Sequence, residues 1–303
     1  MITVAVAVAV VVVVLALCLV ACGLPATSKR ASTSPAGHGT VDVLYAGSLL
    51  RLMEQTLGPR FAAESGYRFS GFAGGSAELA NEIKGGVRRG DIFVSASPDI
   101  DSVLQGAANG NWVSWYVSFA RAPLVLGYNA RSRFAAALRK RPWYEVVTSR
   151  GFLLGRTDPV LDPKGSLTVD ALRRTAQRTG DLALLQIIGS STNVFPEEDL
   201  LGRLEAGQLD AGFFYLDEAR AAGIPTVALS PVSLGTTFTA TVLNRAYDAA
   251  GALSFLQFLI GPKGRRVLGS AGFELLDPPH LHGKGAPAHL IDAINSTAPA
   301  GRR

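Results

Sequence analysis

Three serines stand where side-chain and backbone donors could converge on one anion. Ser48 and Ser76 each follow a glycine, in Ala46-Gly47-Ser48 and Gly74-Gly75-Ser76, and each precedes an apolar run at helical spacing. Ser95 closes the β-type run Asp91-Ile92-Phe93-Val94-Ser95. A helix N-terminus carries unpaired N–H groups and the positive end of the peptide dipoles, so two such turns facing one cleft make an anion site without lysine or arginine. Taken singly, each Gly-Ser is an ordinary helix cap.

A second group of residues is acidic. Gly155-Arg156-Thr157-Asp158-Pro159 runs into Asp162-Pro163-Lys164-Gly165, and Phe195-Pro196 is followed by Glu197, Glu198 and Asp199. Asp162 before Pro163 reads as an N-cap followed by proline at the first helical position, and the three acids after Pro196 complement a helix dipole. Nucleophilic catalysis has weaker support. Neither Ser48 nor Ser76 lies in Gly-x-Ser-x-Gly, and His38, His280, His282 and His289 fall in the linker or near the C-terminus. Two histidines at 280 and 282 are too few for a metal centre.

These residues need a scaffold of alternating strands and helices. Val41 to Tyr45 is a strand, and Leu49, Met53, Leu57 and Phe61 at spacing four predict a helix with Ser48 as its cap. Tyr67 to Phe72 followed by Leu79 and Ile83 repeats the unit, and Asp91 to Ser95 is a third strand. Leu124 to Tyr128 predicts a strand leaving this region, and Phe238 to Leu243 one returning to it. Between them fall helices through Val169-Leu172-Ala176 and Leu200-Leu201-Leu204, and strands at Phe213 to Tyr215 and Ile224 to Leu229. Ala252 to Ile260 is a strongly apolar helix, and from Pro278 onward little periodicity survives outside Leu290 to Ile294. Strand, small polar turn and helix in repetition predict an α/β fold whose ligand-facing loops lie at strand C-termini.

Composition narrows the function classes. With 303 residues, 48% hydrophobic and 17% charged, the chain suits two α/β cores and is too apolar for disorder. A net charge of +5 is mild, and no basic run interleaves with aromatics, so nucleic acid is not an expected partner. Residues 2–22 form an almost unbroken apolar run, and the first charged side chain is Lys29. Its end, Leu19-Val20-Ala21-Cys22, resembles the lipobox of bacterial lipoproteins, with Cys22 as the lipidated residue, although no lysine or arginine precedes the apolar core. The alternative is a retained transmembrane helix. Cys18 lies inside the leader, so cysteine catalysis, disulfides and cysteine–metal sites are excluded from the mature chain.

Seven motifs in order resemble the archaeal-type molybdate/tungstate-binding proteins of ABC transporters: Tyr45-Ala46-Gly47-Ser48-Leu49; Gly74-Gly75-Ser76-Ala77; Asp91 to Ala96; Val125 to Ser132; Pro142-Trp143-Tyr144; Gly155 to Pro159 with Asp162 to Gly165; and Glu205 to Asp210 with Phe214-Tyr215. The similarity spans about residues 41–275. It implies a type II periplasmic-binding-protein-like α/β fold of two lobes, joined by two crossing segments and closing on one oxyanion. On that reading 1–22 is a lipoprotein signal peptide and 23–40 a flexible linker, 41–120 with 241–303 forms lobe 1, and 121–240 forms lobe 2.

By the same resemblance, Ser48, Ser76 and Ser95 donate to the oxyanion together with neighbouring backbone N–H groups, Tyr215 adds its hydroxyl, and Asp162 and Glu197 complete an octahedral shell around Mo or W. Glu198 is the neighbouring alternative to Glu197. Two departures stand out: a short segment between Leu167 and Glu197, and Lys164 after the Asp-Pro. The acid pair is chemically informative, because two carboxylates facing a dianion repel it unless a bond or a proton compensates. Hexavalent molybdenum and tungsten accept two further oxygens, whereas the sulfur of sulfate does not. The resemblance therefore implies a lipid-anchored, monomeric, non-enzymatic protein at the extracytoplasmic face of the cell membrane. It would need no cofactor, bind molybdate or tungstate, and deliver the ion to an ABC permease. Binding of sulfate or phosphate is the alternative within the class, and a surface-anchored serine hydrolase the alternative outside it.

Overall fold

The computed structural model describes residues 38–296. The expected leader with Cys22, and positions 23–37 of the expected linker, lie outside the described residues. The linker's last three positions belong to the fold instead: the His38 N–H donates to the Gly66 carbonyl at 3.2 Å, and the first strand begins at Thr40.

Two parallel three-stranded sets carry the architecture. In the first, β1 (Thr40–Ala46) lies between β2 (Arg68–Gly74) and β3 (Ile92–Ser95). In the second, β5 (Leu154–Thr157) lies between β6 (Val194–Phe195) and β7 (Ala211–Tyr215). The sets are joined by β4 (Trp115–Tyr128) and β9 (Gly235–Val242) in the order β2-β1-β3-β9-β4-β7-β5-β6. One end of β4 pairs antiparallel with β9, the other with β7. The chain thus crosses between two α/β lobes twice, as expected. Residues Ser48, Ser76 and Ser95 follow or end the first set of strands, and Asp162, Glu197 and Tyr215 follow or end the second. This places a ligand crevice at the strand carboxyl ends of both.

Local sequence explains how the first unit is built. A spacing of four drifts by about 40° per step around a regular α-helix, yet Leu49, Met53, Leu57 and Phe61 are all buried. The helix resolves the conflict by widening into a π turn at Met53–Leu57, where the Gly58 N–H donates to the Met53 carbonyl five residues back. The apolar stripe therefore stays on the core. Phe61 meets Phe255 edge-on at 5.1 Å, from the helix Ala249–Ile260, which buries Phe255, Leu256, Leu259 and Ile260. Each such side chain contributes about 1.5–3 kcal/mol.

Four elements differ from the expectation. Ser48 is no cap: it sits inside the 3-10 turn Gly47–Leu49, Ala46 takes the cap position, and no side chain caps that turn. β4 runs for 14 residues where only 124–128 was expected, because it is covered along most of its length and so lacks a polar alternation. A tenth strand, β10 (Glu274–Gly283), pairs antiparallel with β4 through an irregular register between Leu275 and His280 that takes in Pro278 and Pro279. Only Thr226–Ala228 of the expected Ile224 to Leu229 run is strand. Among the described residues no helix is long and apolar enough to cross a membrane.

Candidate functional site

Glycines let the two lobes come together. Gly47 packs so closely on the start of the helix Glu197–Glu205 that a Cβ would lie 2.9 Å from Glu198 N and 3.0 Å from Glu197 Cβ. At Gly75 a Cβ would lie 2.5 Å from the Leu161 carbonyl oxygen and 3.4 Å from Asp162 Cβ. That carbonyl accepts from the N–H groups of Ala77 and Glu78, at 3.1 and 3.0 Å, in the first turn of the helix Ser76–Lys84. Two donors expected to face an anion are therefore engaged by the opposite lobe. Arg51 adds an exposed two-pronged ion pair to Glu205, at 2.8 and 3.0 Å.

At this contact lies a cluster of buried polar atoms that make no well-aligned hydrogen bond: Ser48 Oγ beside Glu197, Thr157 Oγ1 beside Asp162, Asp162 Oδ2, both Glu197 carboxylate oxygens, and Tyr215 OH beside Thr236. Buried polar groups are normally paired, so such a concentration marks a place built to meet something polar. A cavity of about 170 Å3 touches Gly47, Ser48 and Glu198, and one of about 200 Å3 touches Gly75, Asp162 and Glu197. Against about 30 Å3 per liquid water, each has room for roughly six waters, with Ser48 lining one and Asp162 and Glu197 the other.

The serines are not equivalent. Ser48 lies beside Glu197 with its hydroxyl otherwise unpaired. Ser76 Oγ accepts from the Ala96 N–H at 3.1 Å, which leaves its own proton free to donate. Ser95 Oγ donates to the Ser97 carbonyl at 3.0 Å and accepts from the Ser97 N–H at 3.1 Å, so its hydroxyl is committed to its own turn. The chain returns to this point through Thr236, which donates to the Ala96 carbonyl and lies beside Tyr215.

The acids are held more tightly. Asp162 caps the helix Pro163–Thr179, its Oδ1 accepting from the Lys164 N–H at 3.2 Å. Lys164 is fully buried, and its Nζ donates to Glu218 at 2.9 and 3.2 Å and stands 3.4 Å from Glu197 Oε1. Burial pushes Glu197 well above the ordinary carboxylate range, with neighbouring Asp162 adding to the rise and Lys164 opposing it. Burial also raises Asp162, against Lys164. For Lys164, burial works against the charged form, but Glu218, Glu197 and Asp162 together outweigh it and the ammonium is held above its usual value. Tyr215 is raised by burial and then by both acids. Asp217 is pushed up to about 8 by burial and by Glu218. Glu198 is less enclosed and faces the cavity lined by Ser48 and Asp217.

Sequence reasoning missed Thr157, Lys164, Asp217, Glu218 and Thr236. For Glu218 the only signal was position, three residues after Tyr215. Arg156, although in the same motif as Asp158, is a structural clasp whose guanidinium donates to the Ser190 and Ile188 carbonyls. His282 pairs with Ser118 at 3.1 Å, not with Ser48 or Ser76. Among the described residues no group of three or more His, Cys, Asp or Glu side chains is arranged to hold a metal ion.

The fold is that of solved binding proteins. The structure overlays on the periplasmic molybdate-binding protein of Azotobacter vinelandii with a TM-score of 0.62, at 20% identity, over 78% of this chain and 99% of that one. In sequence the chain is 33% identical over 199 residues to a Haloferax volcanii protein named as a molybdenum-binding component of an ABC transporter, covering 64% of this chain and 62% of that relative's length. It is 24% identical over 318 residues to the molybdate/tungstate-binding protein WtpA of Thermococcus kodakarensis, covering 86% and 88%. The profile of the bacterial extracellular solute-binding protein family matches residues 41–274, and the chain belongs to that family.

Proposed function

We propose that the protein captures molybdate or tungstate outside the membrane and hands it to the permease of an ABC transporter. The observation that carries this reading is the pair Asp162 and Glu197. Each is buried, each has a carboxylate oxygen without a hydrogen-bond partner, and the two stand close enough to raise Glu197 electrostatically. A site evolved for sulfate gains nothing from two such acids, since its ligand cannot form bonds to them; a hexavalent metal centre can accept both oxygens. Ser48, Ser76 and Tyr215 act as donors to the ion's own oxygens, with Ser95 supporting the turn. Glu197 rather than Glu198 is the second acid, because it faces Asp162 and Lys164. The lobes divide as 41–120 with 241–303 against 121–240, and binding is their closure through Gly47 and Gly75 with no covalent chemistry.

Replacing both acids, Asp162→Ala with Glu197→Ala, is expected to weaken molybdate binding by at least about a hundredfold, or roughly 2.7 kcal/mol, and sulfate binding far less. Equal losses would remove them as ligands. A lipid anchor at Cys22 completes the proposal and places the protein on the extracytoplasmic face of the cell membrane. Cys22→Ser is expected to release it from membranes into the soluble fraction, and continued membrane retention would favour a helix spanning 2–22.

A further inference from the structure

Lys164 joins the two acids that the site presents. Its backbone N–H donates to Asp162 Oδ1 at 3.2 Å, and its ammonium stands 3.4 Å from Glu197 Oε1. One oxygen of each carboxylate is thus held by the same residue, while Asp162 Oδ2 and Glu197 Oε2 make no hydrogen bond. The lysine itself has little freedom. Glu218 grips Nζ with both oxygens, Phe214 and Tyr215 present their ring faces at 5.6 and 5.7 Å, and the side chain is fully buried. The helix that carries it is pinned as well. A Cβ at Gly165 would come within 2.4 Å of the Asp158 carbonyl oxygen, so only glycine fits beside the lysine.

A buried lysine with one well-placed glutamate is a complete ion pair and needs nothing else. Here the ammonium also faces Glu197, and Glu218 lines the cavity that holds Ser48 and Glu198, not the one that holds Asp162 and Glu197. We propose that Lys164 is a charge-balancing and positioning residue of the oxyanion site. Glu218 fixes its ammonium, and the ammonium offsets Asp162 and Glu197 so that both can meet a dianion with an oxygen turned toward it. The inference rests on the oxyanion reading above and assigns to that site a cation that its neutral donors do not supply.

Two variants separate this role from simple pairing with Glu218. Glu218→Gln keeps the cation and loosens the hold on it, and molybdate affinity measured by calorimetry is expected to fall by less than in the variant that also lacks the cation. Lys164→Met combined with Glu218→Gln removes the cation together with the carboxylate that grips it, so that Asp162 and Glu197 are the acids left without it. Its molybdate affinity is expected to fall by about tenfold or more, measured on protein whose circular dichroism shows it folded. Equal affinities of the two variants would overturn the proposal, and so would a greater loss in Glu218→Gln alone. If the unaltered protein binds neither molybdate, tungstate nor sulfate, the oxyanion reading itself fails, and the inference fails with it.

Discussion

The two walls of the crevice present different polar groups. The first, from β1, β2 and β3, offers hydroxyls and glycine turns at Gly47 and Gly75, and its charged side chains at the two cavities are Arg51, Glu54 and Glu78, with Arg51 paired to Glu205. The second, from β5, β6 and β7, buries Asp162, Lys164, Glu197 and Glu218 within one network. A wall of neutral donors suits any tetrahedral oxyanion, because hydrogen bonds to its oxygens do not depend on the central atom. A wall of carboxylates discriminates, because it is repulsive unless the central atom accepts oxygen or a cation offsets it. On the proposed reading, affinity for an oxyanion belongs mainly to the first wall and choice among oxyanions to the second.

That division can be broken from either side. After the acid pair itself, the largest effect is expected at the contact that brings the walls together. Gly75 has φ −58° and ψ 131°, a conformation open to any residue, so Gly75→Ala strains no backbone. Its methyl would nevertheless press on the Leu161 carbonyl, and closure should cost about 2 kcal/mol, roughly thirtyfold in affinity for every oxyanion alike. A loss confined to molybdate would contradict a role in closure. Ser48→Ala comes next, at about 1.5 kcal/mol or roughly tenfold, again with molybdate and sulfate affected together. Ser95→Ala is expected to cost less than Ser48→Ala, since its hydroxyl is already satisfied by Ser97. The reverse order would show that Ser95 turns away from Ser97 to meet the ion.

The same contrast explains what could be read in the sequence. The first wall was legible because strand, Gly-Ser turn and helix are local, and Ser76 and Ser95 lie where those units put them. Ser48 was misread as a cap only because the chain passes through a 3-10 turn before the helix. The second wall was half legible. Asp162 announced itself as a cap before proline, whereas Lys164, one residue beyond Pro163, looks like any solvated lysine at a helix start. Its burial depends on Glu218, 54 residues away, and no local pattern encodes that pairing. β10 escaped notice for a related reason. Asp277-Pro278-Pro279 interrupts its alternation, which a strand tolerates only where, as here, the partner register is irregular.

Whether Asp162 and Glu197 select the ion can be read from calorimetric titration of the purified protein with molybdate, tungstate and sulfate under one set of conditions. Molybdate and tungstate are expected to bind strongly and alike, and sulfate more weakly by at least about a hundredfold, a difference of roughly 2.7 kcal/mol. Sulfate bound as tightly as molybdate would contradict this selection, because Asp162 and Glu197 would then be discriminating nothing.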